Sequence, residues 1–335
     1  MDRTADMNPW RIRASDFPAQ AGVREQLRFL LRYAILAPSS NNSQPWLFAI
    51  EGDCIRILLD ERLWLRVCDP DRREMYLNAG CALENLLVAA EHFGFSHSVR
   101  YLPDASDPAL IAVVQFARGG VPSPHRPPVL FDMLPVRQTS HRPHLDQPLE
   151  DHVLADLQRC CVEEEIVLRL YTDRPTRRAF SNMVVRADLL QFADPAFRRE
   201  LSVCVGQGML GTPWLISQLV RLIVRHVDIG RTQSQRDSAL VLSSPVLGVL
   251  ASTRDDRSIQ VQTGQVYERL SLAAAALGIQ TQPMSQPVEI PELRDELTRL
   301  LSPPVLLPLH PFRLGYAPAE RRRTLRRPLG EVLVE

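Results

Sequence analysis

The stretch that decides the fold occurs twice, first as Gly80-Cys81-Ala82-Leu83-Glu84 and again as Gly264-Gln265-Val266-Tyr267-Glu268. Each copy continues as an apolar run with paired alanines and closes on a second glycine fourteen positions after the first, at Gly94 and Gly278. Apolar residues that recur every three or four positions indicate a buried helix, and a glycine after the last turn is typical of a helix C-cap. The sequence therefore predicts two equivalent buried helices.

The surroundings of the two copies repeat in the same order, which indicates internal duplication rather than chance similarity of two helices. A polar loop precedes each copy, at 69–73 and at 253–257, and an apolar strand is predicted on either side. The predicted strands are Trp46 to Ile50 and Leu110 to Phe116 around the first copy, and Pro245 to Leu250 and Val305 to Phe312 around the second.

The predicted fold class is α+β, with two related α/β halves fused as an internal pseudo-dimer and helices around a mixed sheet in each half. Residues 119–128 are rich in glycine and proline, which indicates a linker. We therefore predict a first half at 1–130, with a helix from about Val23 to Leu36. The second half is predicted at 131–335, with helices from about Leu149 to Cys160 and Asp194 to Val203, and an insertion at about 206–236.

Composition limits the possible partners. The 39 basic residues balance the 39 acidic ones, so no overall charge attracts nucleic acid or a membrane surface. All the basic residues are arginine, which excludes Schiff-base chemistry on lysine, and anions must be bound by guanidinium groups, hydroxyls and backbone amides. The first thirteen residues do not resemble a signal peptide, and the six cysteines show no C-x-x-C spacing. We expect a cytoplasmic protein with reduced thiols.

The most informative loop is Ala37-Pro38-Ser39-Ser40-Asn41-Asn42-Ser43-Gln44-Pro45-Trp46, between a predicted helix and a predicted strand. Its two prolines fix the backbone while hydroxyls and amides line it. The amides of Asn42 and Gln44 each offer a donor and an acceptor, which suits the mixed carbonyl and N–H edge of a flavin ring. The alternative is an ordinary turn, in which such residues are common.

Pro38-Ser39-Ser40 with Asn42, Gln44, Pro45 and Trp46 resembles the flavin loop of the nitroreductase family, whose members are FMN-dependent NAD(P)H oxidoreductases. The segment Arg137-Gln138-Thr139-Ser140-His141-Arg142 is similar to that family's second motif, R-x-S/T-x-K/R. The resemblance implies that Arg137 and Thr139 hold the FMN phosphate. It departs at His141, where the family has a cation beside the flavin ring. Stabilisation of the reduced ring would then depend on pH, unless Arg142 reaches the ring instead.

Two further segments extend the resemblance. In Gly278–Gln286 the places of Ser285 and Gln286 match a family segment whose backbone amides approach flavin N5, and Arg326 with Arg327 resembles the basic pair that completes the phosphate site. An Arg-rich solvated tail is the alternative for that pair. Because the loop is found in the first half and the Arg/Thr element in the second, the resemblance implies one FMN per chain, as in the Acg branch of fused pseudo-dimers.

In that branch a lid can cover the flavin, and the insertion at 206–236 is the candidate lid here. One amphipathic face of it comprises Trp214, Leu215, Leu219, Leu222 and Ile223. A peripheral packing helix is the alternative.

The leading functional hypothesis is an oxidoreductase in which NAD(P)H reduces FMN and the FMN then reduces a small acceptor, such as a quinone or a nitroaromatic, in ping-pong fashion. No protein acid or base is assigned, and the chain is expected to work as a monomer that is an internal pseudo-dimer, with further dimerisation left open. The alternatives are an FMN storage protein and a flavin-free scaffold. The G-x-G-x-x-G match at Gly206–Gly211 follows a predicted helix rather than a strand, and His141 with His144 lacks a third metal ligand, so a dinucleotide fold and a metal site are both set aside.

Overall fold

The computed structural model describes residues 8–206, 214–301, 305–318, 320 and 323–334, with the backbone alone for 214 and 215. Within these ranges the helices are α1 (Val23–Ala34), α2 (Arg73–His92), α3 (Pro128–Met133), α4 (Asp151–Gln158), α5 (Arg174–Ala193), α6 (Pro195–Gly206), α7 (Trp214–His226), α8 (Gly230–Ser243), α9 (Arg257–Ala276), α10 (Pro291–Leu300) and α11 (Leu329–Val332). The strands are β1 (Trp46–Glu51), β2 (Cys54–Leu59), β3 (Phe95–Tyr101), β4 (Leu110–Arg118), β5 (Ile166–Tyr171), β6 (Val246–Ser252), β7 (Ile279–Pro283), β8 (Leu307–Tyr316) and β9 (Leu333–Val334). The predicted α+β class is confirmed.

Two separate sheets organise the chain, and they share one strand order. The first runs β3-β4-β2-β1-β9 and the second, read from its other edge, β7-β8-β6-β5. Within each sheet, the neighbouring strands of this shared order, β3-β4-β2-β1 and β7-β8-β6-β5, are all antiparallel. Register shifts also occur at matched places, after Ile57 in β2 and after Leu250 in β6. The strand equivalent to β6 is therefore β2, and not the segment Trp46–Ile50 that the sequence matched to it.

The mixed sheet predicted for each half is found only in the first. There β9, from the C-terminal end of the chain, pairs in parallel with β1. The described strands of the second sheet are all antiparallel. The C-terminal segment thus leaves the second half and completes the sheet of the first.

The repeated helices are α2 and α9, and each begins seven residues before its glycine. They end as predicted, because Gly94 and Gly278 adopt left-handed φ angles of 75° and 73°. Every residue of α2 from Arg73 to Glu91 is buried. The helix is buried all round because it lies in the centre of the molecule, where both halves cover it.

The two helices cross at their glycines. A Cβ atom at Gly80 would lie 1.9 Å from the carbonyl oxygen of Val261, and one at Gly264 would lie 1.9 Å from that of Leu77. Val261 lies three residues before Gly264, and Leu77 lies three residues before Gly80. The contact is therefore reciprocal, as at a twofold interface. This symmetry supports internal duplication, and the boundary near residue 130 stays a prediction.

The insertion in the second half is larger than expected. A tight turn at 52–53 joins β1 to β2, whereas residues 172–245 separate β5 from β6 and contain α5 to α8. Of the predicted lid, residues 207–213 and the side chains of Trp214 and Leu215 lie outside the described residues, as does most of the G-x-G-x-x-G match. Leu219, Leu222 and Ile223 are 61%, 55% and 42% exposed. This part of the amphipathic face therefore points to solvent.

No helix within the described ranges is both long and apolar enough to cross a bilayer.

Candidate functional site

The front loop, residues 37–46, connects α1 to β1 in a strained conformation. Asn41, Asn42 and Gln44 have left-handed φ angles of 51°, 55° and 53°. Few residues other than glycine adopt this region, and asparagine tolerates it best because its short side chain can hydrogen-bond locally. The hydroxyl of Ser39 accepts a hydrogen bond from the backbone N–H of Gln44 at 2.9 Å and closes the loop. Backbone strain of this kind concentrates at functional sites.

Helix α2 anchors the loop through Ser40. The hydroxyl of Ser40 donates to Glu74 Oε2 at 2.7 Å, and its N–H donates to Asn78 Oδ1 at 3.2 Å. Burial would raise the pKa of Glu74, but the guanidinium of Arg73 holds that pKa below its ordinary value. The acceptor that holds Ser40 is therefore ionised at neutral pH.

A small cavity lies beside the loop, bordered by Ser40, Asn78 and Glu289 among others. Its volume is about 20 Å³, which is enough for a water molecule and far too little for a three-ring heterocycle. A planar ligand could enter here only if the loop or the elements facing it moved.

The C-terminal segment covers the loop and takes up its two amide side chains. Asn42 Nδ2 donates to the carbonyl oxygen of Leu325 at 3.0 Å, while Asn42 Oδ1 accepts from Arg326 Nη1 at 2.8 Å. Gln44 Oε1 accepts from the backbone N–H of Arg327 at 2.8 Å. The two amides predicted to face a flavin edge therefore bind the segment that contains the predicted Arg326 and Arg327 pair.

Three guanidinium groups and one carboxylate meet behind the loop. We call the group formed by Arg137, Arg323, Arg326 and Glu268 the arginine corner. Arg137 Nε lies 3.0 Å from Glu268 Oε1, and Arg137 and Arg326 both donate to the carbonyl oxygen of Leu36, at 3.3 and 3.1 Å. Arg323 Nη1 donates to the carbonyl oxygen of Arg137 at 3.0 Å. The front loop and the Arg/Thr element, distant in sequence, thus lie side by side.

The arginine corner lacks negative charge. Three buried atoms in it have no hydrogen-bond partner, namely Arg137 Nη1, Arg326 Nε and Glu268 Oε2. Burial, and next the charge of Arg137, lower the pKa of Arg326 to about 9. Burial also raises the pKa of Glu268 to about 7, against the opposing effect of Arg137. A buried cation is costly unless it is paired, and the unpaired Arg137 Nη1 and Arg326 Nε are donors that an anion could use.

An equivalent corner in the other half has no such deficit. Glu84, at the place in α2 that Glu268 has in α9, accepts two hydrogen bonds from Arg126 at 2.8 and 2.9 Å and two from Arg269 at 2.7 and 3.1 Å. Arg126 also pairs with Glu91, and Arg269 with Glu163. We call these five residues the closed corner, because both of its arginines are paired with carboxylates and its formal charge is −1.

The other end of the Arg/Thr element lies on β7. His141 Nδ1 lies 3.0 Å from Gln282 Nε2, while Gln282 Oε1 accepts from Arg313 Nε at 2.7 Å. Because Arg313 can only donate, it fixes the orientation of this amide, and His141 Nδ1 must be the acceptor. Surrounding protein atoms, then Arg236 and Arg313, lower the pKa of His141. The imidazole is therefore neutral at pH 7 and carries its proton on Nε2.

The neighbours of His141 are also held in place. Thr139 forms a parallel bridge with Thr281, and Arg142 Nε donates to Glu320 Oε2 at 3.2 Å. Arg142 is thus paired with a carboxylate, whereas no hydrogen bond within the described residues uses the Nε2 proton of His141. Which of the two faces the flavin ring stays a prediction.

The predicted Ser285 and Gln286 begin a single 3-10 turn after β7. The carbonyl oxygen of Ser285 accepts from the N–H of Val288 at 2.9 Å, and Gln286 Nε2 donates to Asp237 Oδ2 at 3.1 Å. Asp237 and a second buried carboxyl, Asp188, are functional candidates that the sequence did not indicate. Arg323 and Glu268 were missed as well, although Glu268 belongs to the repeat that defines the fold.

Comparisons with known proteins extend these observations. No protein-family model matches the chain. A Mycobacterium tuberculosis H37Rv protein named "Putative NAD(P)H nitroreductase Rv3131" is 27% identical over 300 residues, which cover 88% of this chain and 86% of the relative. The protein named "Putative NAD(P)H nitroreductase acg" from the same strain is 26% identical over 324 residues, or 91% of this chain and 94% of the relative.

Solved structures resemble the chain more distantly. The FMN and NADPH-dependent nitroreductase NfnB from Sphigopyxis sp. strain HMH matches 62% of this chain and 98% of its own, at 17% identity and a TM-score of 0.43. The two curated relatives each match most of this chain and most of their own length. The predicted resemblance to the nitroreductase family, and within it to Acg, is thereby confirmed.

Proposed function

We propose that the chain binds one FMN and uses NAD(P)H to reduce a small electron acceptor of the quinone or nitroaromatic type. The observation that carries the proposal is the arginine corner, where three guanidinium groups face one carboxylate and two donors are left unpaired. The names of the curated relatives point to the same class of reaction.

The residues fit a phosphate monoester. With Glu268 ionised, the arginine corner has a formal charge of +2, which a phosphate dianion would neutralise. The unpaired Arg137 Nη1 and Arg326 Nε are donors of the kind that phosphate oxygens accept in charge-assisted hydrogen bonds. Burial raises the pKa of Glu268 to about 7, and its neutral form would leave the corner with a formal charge of +3 and a stronger attraction for the anion.

The Arg/Thr element would place the rest of the ligand. Its residues from Arg137 to His141 span at most roughly 13 Å, so one short segment can contact the phosphate at one end and the ring at the other. Neutral His141 would offer its Nε2 proton to an acceptor on the ring. When bound, FMN supplies the two-electron chemistry, and the chain contributes position, charge and exclusion of water.

A storage protein is the second candidate, and the small cavity beside the front loop favours it. A site that must open to admit its ligand would also slow the access of NAD(P)H and of an acceptor. Both candidates share the FMN site and differ in turnover.

The test has two steps. Purified protein should be yellow, with one FMN per chain, and colourless protein that does not retain added FMN would overturn the proposal. Stopped-flow mixing with NADH or NADPH should then bleach the flavin within seconds. Flavin that is photoreduced normally but does not react with either nucleotide would identify a storage protein.

A further inference from the structure

Three elements bring two carboxyl groups and an amide together at the ring end of the site. Asp188 lies on α5, Asp237 on α8, and Gln286 opens the 3-10 turn after β7. Asp188 is 2% exposed and Asp237 is 7% exposed. Gln286 Nε2 donates to Asp237 Oδ2 at 3.1 Å, and Gln233 Nε2 donates to the same oxygen at 3.0 Å. Asp237 therefore has two amide donors.

The hydrogen bonds of this group do not balance without an additional proton. Asp188 Oδ2 and Gln286 Oε1 are both buried and have no hydrogen-bond partner, although Gln286 lies within hydrogen-bonding reach of Asp188. A buried carboxyl oxygen that has no donor is satisfied if the carboxyl carries a proton, and the unpartnered amide oxygen of Gln286 is an acceptor for that proton. Turning the amide of Gln286 over would move the conflict to Asp237, so either orientation requires one proton on the pair.

The charged surroundings decide which carboxyl carries that proton. Asp237 faces Arg236 of its own helix and Arg313 of β8, whose charges favour its ionised form, and the neutral His141 of the Arg/Thr element. The charged group that acts on Asp188 is Asp237 itself. A carboxyl with only a like charge beside it holds its proton more tightly.

Neighbouring helices do not change this assignment. Where α10 meets α5, Glu296 pairs with Arg186 at 2.7 Å, and Glu289 accepts from Gln191 at 2.6 Å. These contacts engage other side chains of α5. Burial, followed by the charge of Asp237, raises the pKa of Asp188 to about 8, and burial also raises the pKa of Asp237.

We propose that Asp188 and Asp237 hold one proton between them at neutral pH, and that protonated Asp188 fixes the amide of Gln286. Asp188 is then a positioning residue for the end of the site that binds the ring. The inference rests on the proposed FMN site, because Gln286 is one of its predicted residues. If Asp188 lost its proton, two adjacent carboxylates would result and the amide of Gln286 would no longer be held.

The first test is the dissociation constant for FMN, measured by flavin fluorescence from pH 6.5 to 9. If the ionised form of Asp188 does not bind, a group that titrates near pH 8 weakens affinity about tenfold between pH 7 and pH 9. Asp188→Asn mimics the protonated side chain, so it should remove this step. Since FMN's own titration affects both proteins, the ratio of their dissociation constants isolates the effect.

Glu289→Gln is the matched control, because burial raises the pKa of Glu289 also to about 8 but its carboxylate lies beside the front loop. The step should persist in Glu289→Gln. An unchanged step in Asp188→Asn, or its loss in Glu289→Gln instead, overturns the inference. If Asp188→Asn does not fold, Asp237→Asn should move the step to lower pH by removing the like charge.

A second measurement does not require FMN. Carbon-13 NMR of aspartate carboxyls in the FMN-free protein should show one resonance that titrates near pH 8 and is absent from Asp188→Asn. If that resonance is present and FMN does not bind, the proposed function fails while the shared proton stands. If Asp188 titrates near pH 4, the shared proton is wrong whether or not FMN binds.

Discussion

Glu84 and Glu268 occupy equivalent places in α2 and α9, each four residues after the glycine at which the helices cross, and their surroundings are opposite. Both side chains are 0% exposed. Glu84 receives four hydrogen bonds from Arg126 and Arg269, and these cations hold its pKa well below its ordinary range although burial opposes them. Glu268 has one ion-pair contact with Arg137 and a raised pKa.

The difference shows how one of two duplicated sites can be closed without a change of fold. In the closed corner Glu91 and Glu163 raise the number of carboxylates to three for two arginines, so neither cation lacks a partner. In the arginine corner three arginines lie together with one carboxylate, and we propose that a ligand supplies the missing negative charge. On this proposal the duplicated backbone offers one structural corner and one binding corner.

The largest effect should come from removing a cation from the closed corner. Arg269→Ala leaves buried Glu84 and partly exposed Glu163 without one partner, and breaking a buried pair costs about 3–5 kcal/mol. We expect the free energy of unfolding, measured with urea, to fall by that amount.

FMN binding by Arg269→Ala is expected to change much less than its stability. FMN affinity of the folded fraction of Arg269→Ala should stay near that of the unmodified chain. A larger loss of affinity than of stability would contradict the division into a structural and a binding corner.

Arg137→Ala is the reverse experiment. It removes charge-assisted hydrogen bonds to the proposed phosphate, and we expect FMN affinity to fall by about 2–4 kcal/mol, roughly 30- to 1000-fold. Isothermal titration calorimetry with FMN measures this directly. Arg254→Ala is the matched control, since Arg254 is exposed and pairs with Asp256 and Glu165 on the surface. Unchanged affinity in Arg137→Ala would remove the phosphate assignment.

The sequence predicted most of what lies within one segment. The repeat, the C-cap glycines and the front loop follow from local patterns, because helix periodicity and turn residues act over a few positions. It matched β1 to β6 instead of β2, since short apolar strands resemble each other. The 20-residue helix α5 was also missed, although Asp173 caps it and Pro175 lies in its first turn.

Long-range partners were harder to predict. The sequence identified Arg326 but not the contact of Arg323 with Arg137, because an arginine run at a chain end equally indicates a solvated tail. The buried carboxyls Asp188 and Asp237 come from two helices of the insertion and lie together only after folding. Electrostatic complementarity between distant segments is a property of the folded chain and has no local pattern.

The crossing glycines test the symmetry that underlies the two corners. Gly80→Ala and Gly264→Ala each place a methyl group against a backbone carbonyl oxygen. Moving a flexible side chain cannot relieve this clash, because the contacted atom belongs to the backbone. We expect each to lower the free energy of unfolding by about 1–3 kcal/mol, with the two values close to each other. Clearly unequal losses in urea unfolding would show that the reciprocal contact is not equally important on the two sides.

The smallest effect is a difference in pH dependence between the corners. An unfolded glutamate releases its proton near pH 4.5, whereas Glu268 keeps its proton in the folded chain until about pH 7. Over this range the folded state binds more protons, so its stability falls as pH rises, by about 1 kcal/mol between pH 6 and pH 8 from this group. Glu84 contributes nothing there, because it is ionised in both states. Glu268→Gln should therefore flatten the curve of unfolding free energy against pH in the FMN-free protein, relative to the unmodified chain.

An identical slope in the two proteins would assign the titration to other buried acids, such as Asp69 or Asp188, whose pKa values burial also raises. FMN binding at pH 7 should then show no proton uptake at Glu268, and the contrast between the corners would consist of hydrogen bonds alone.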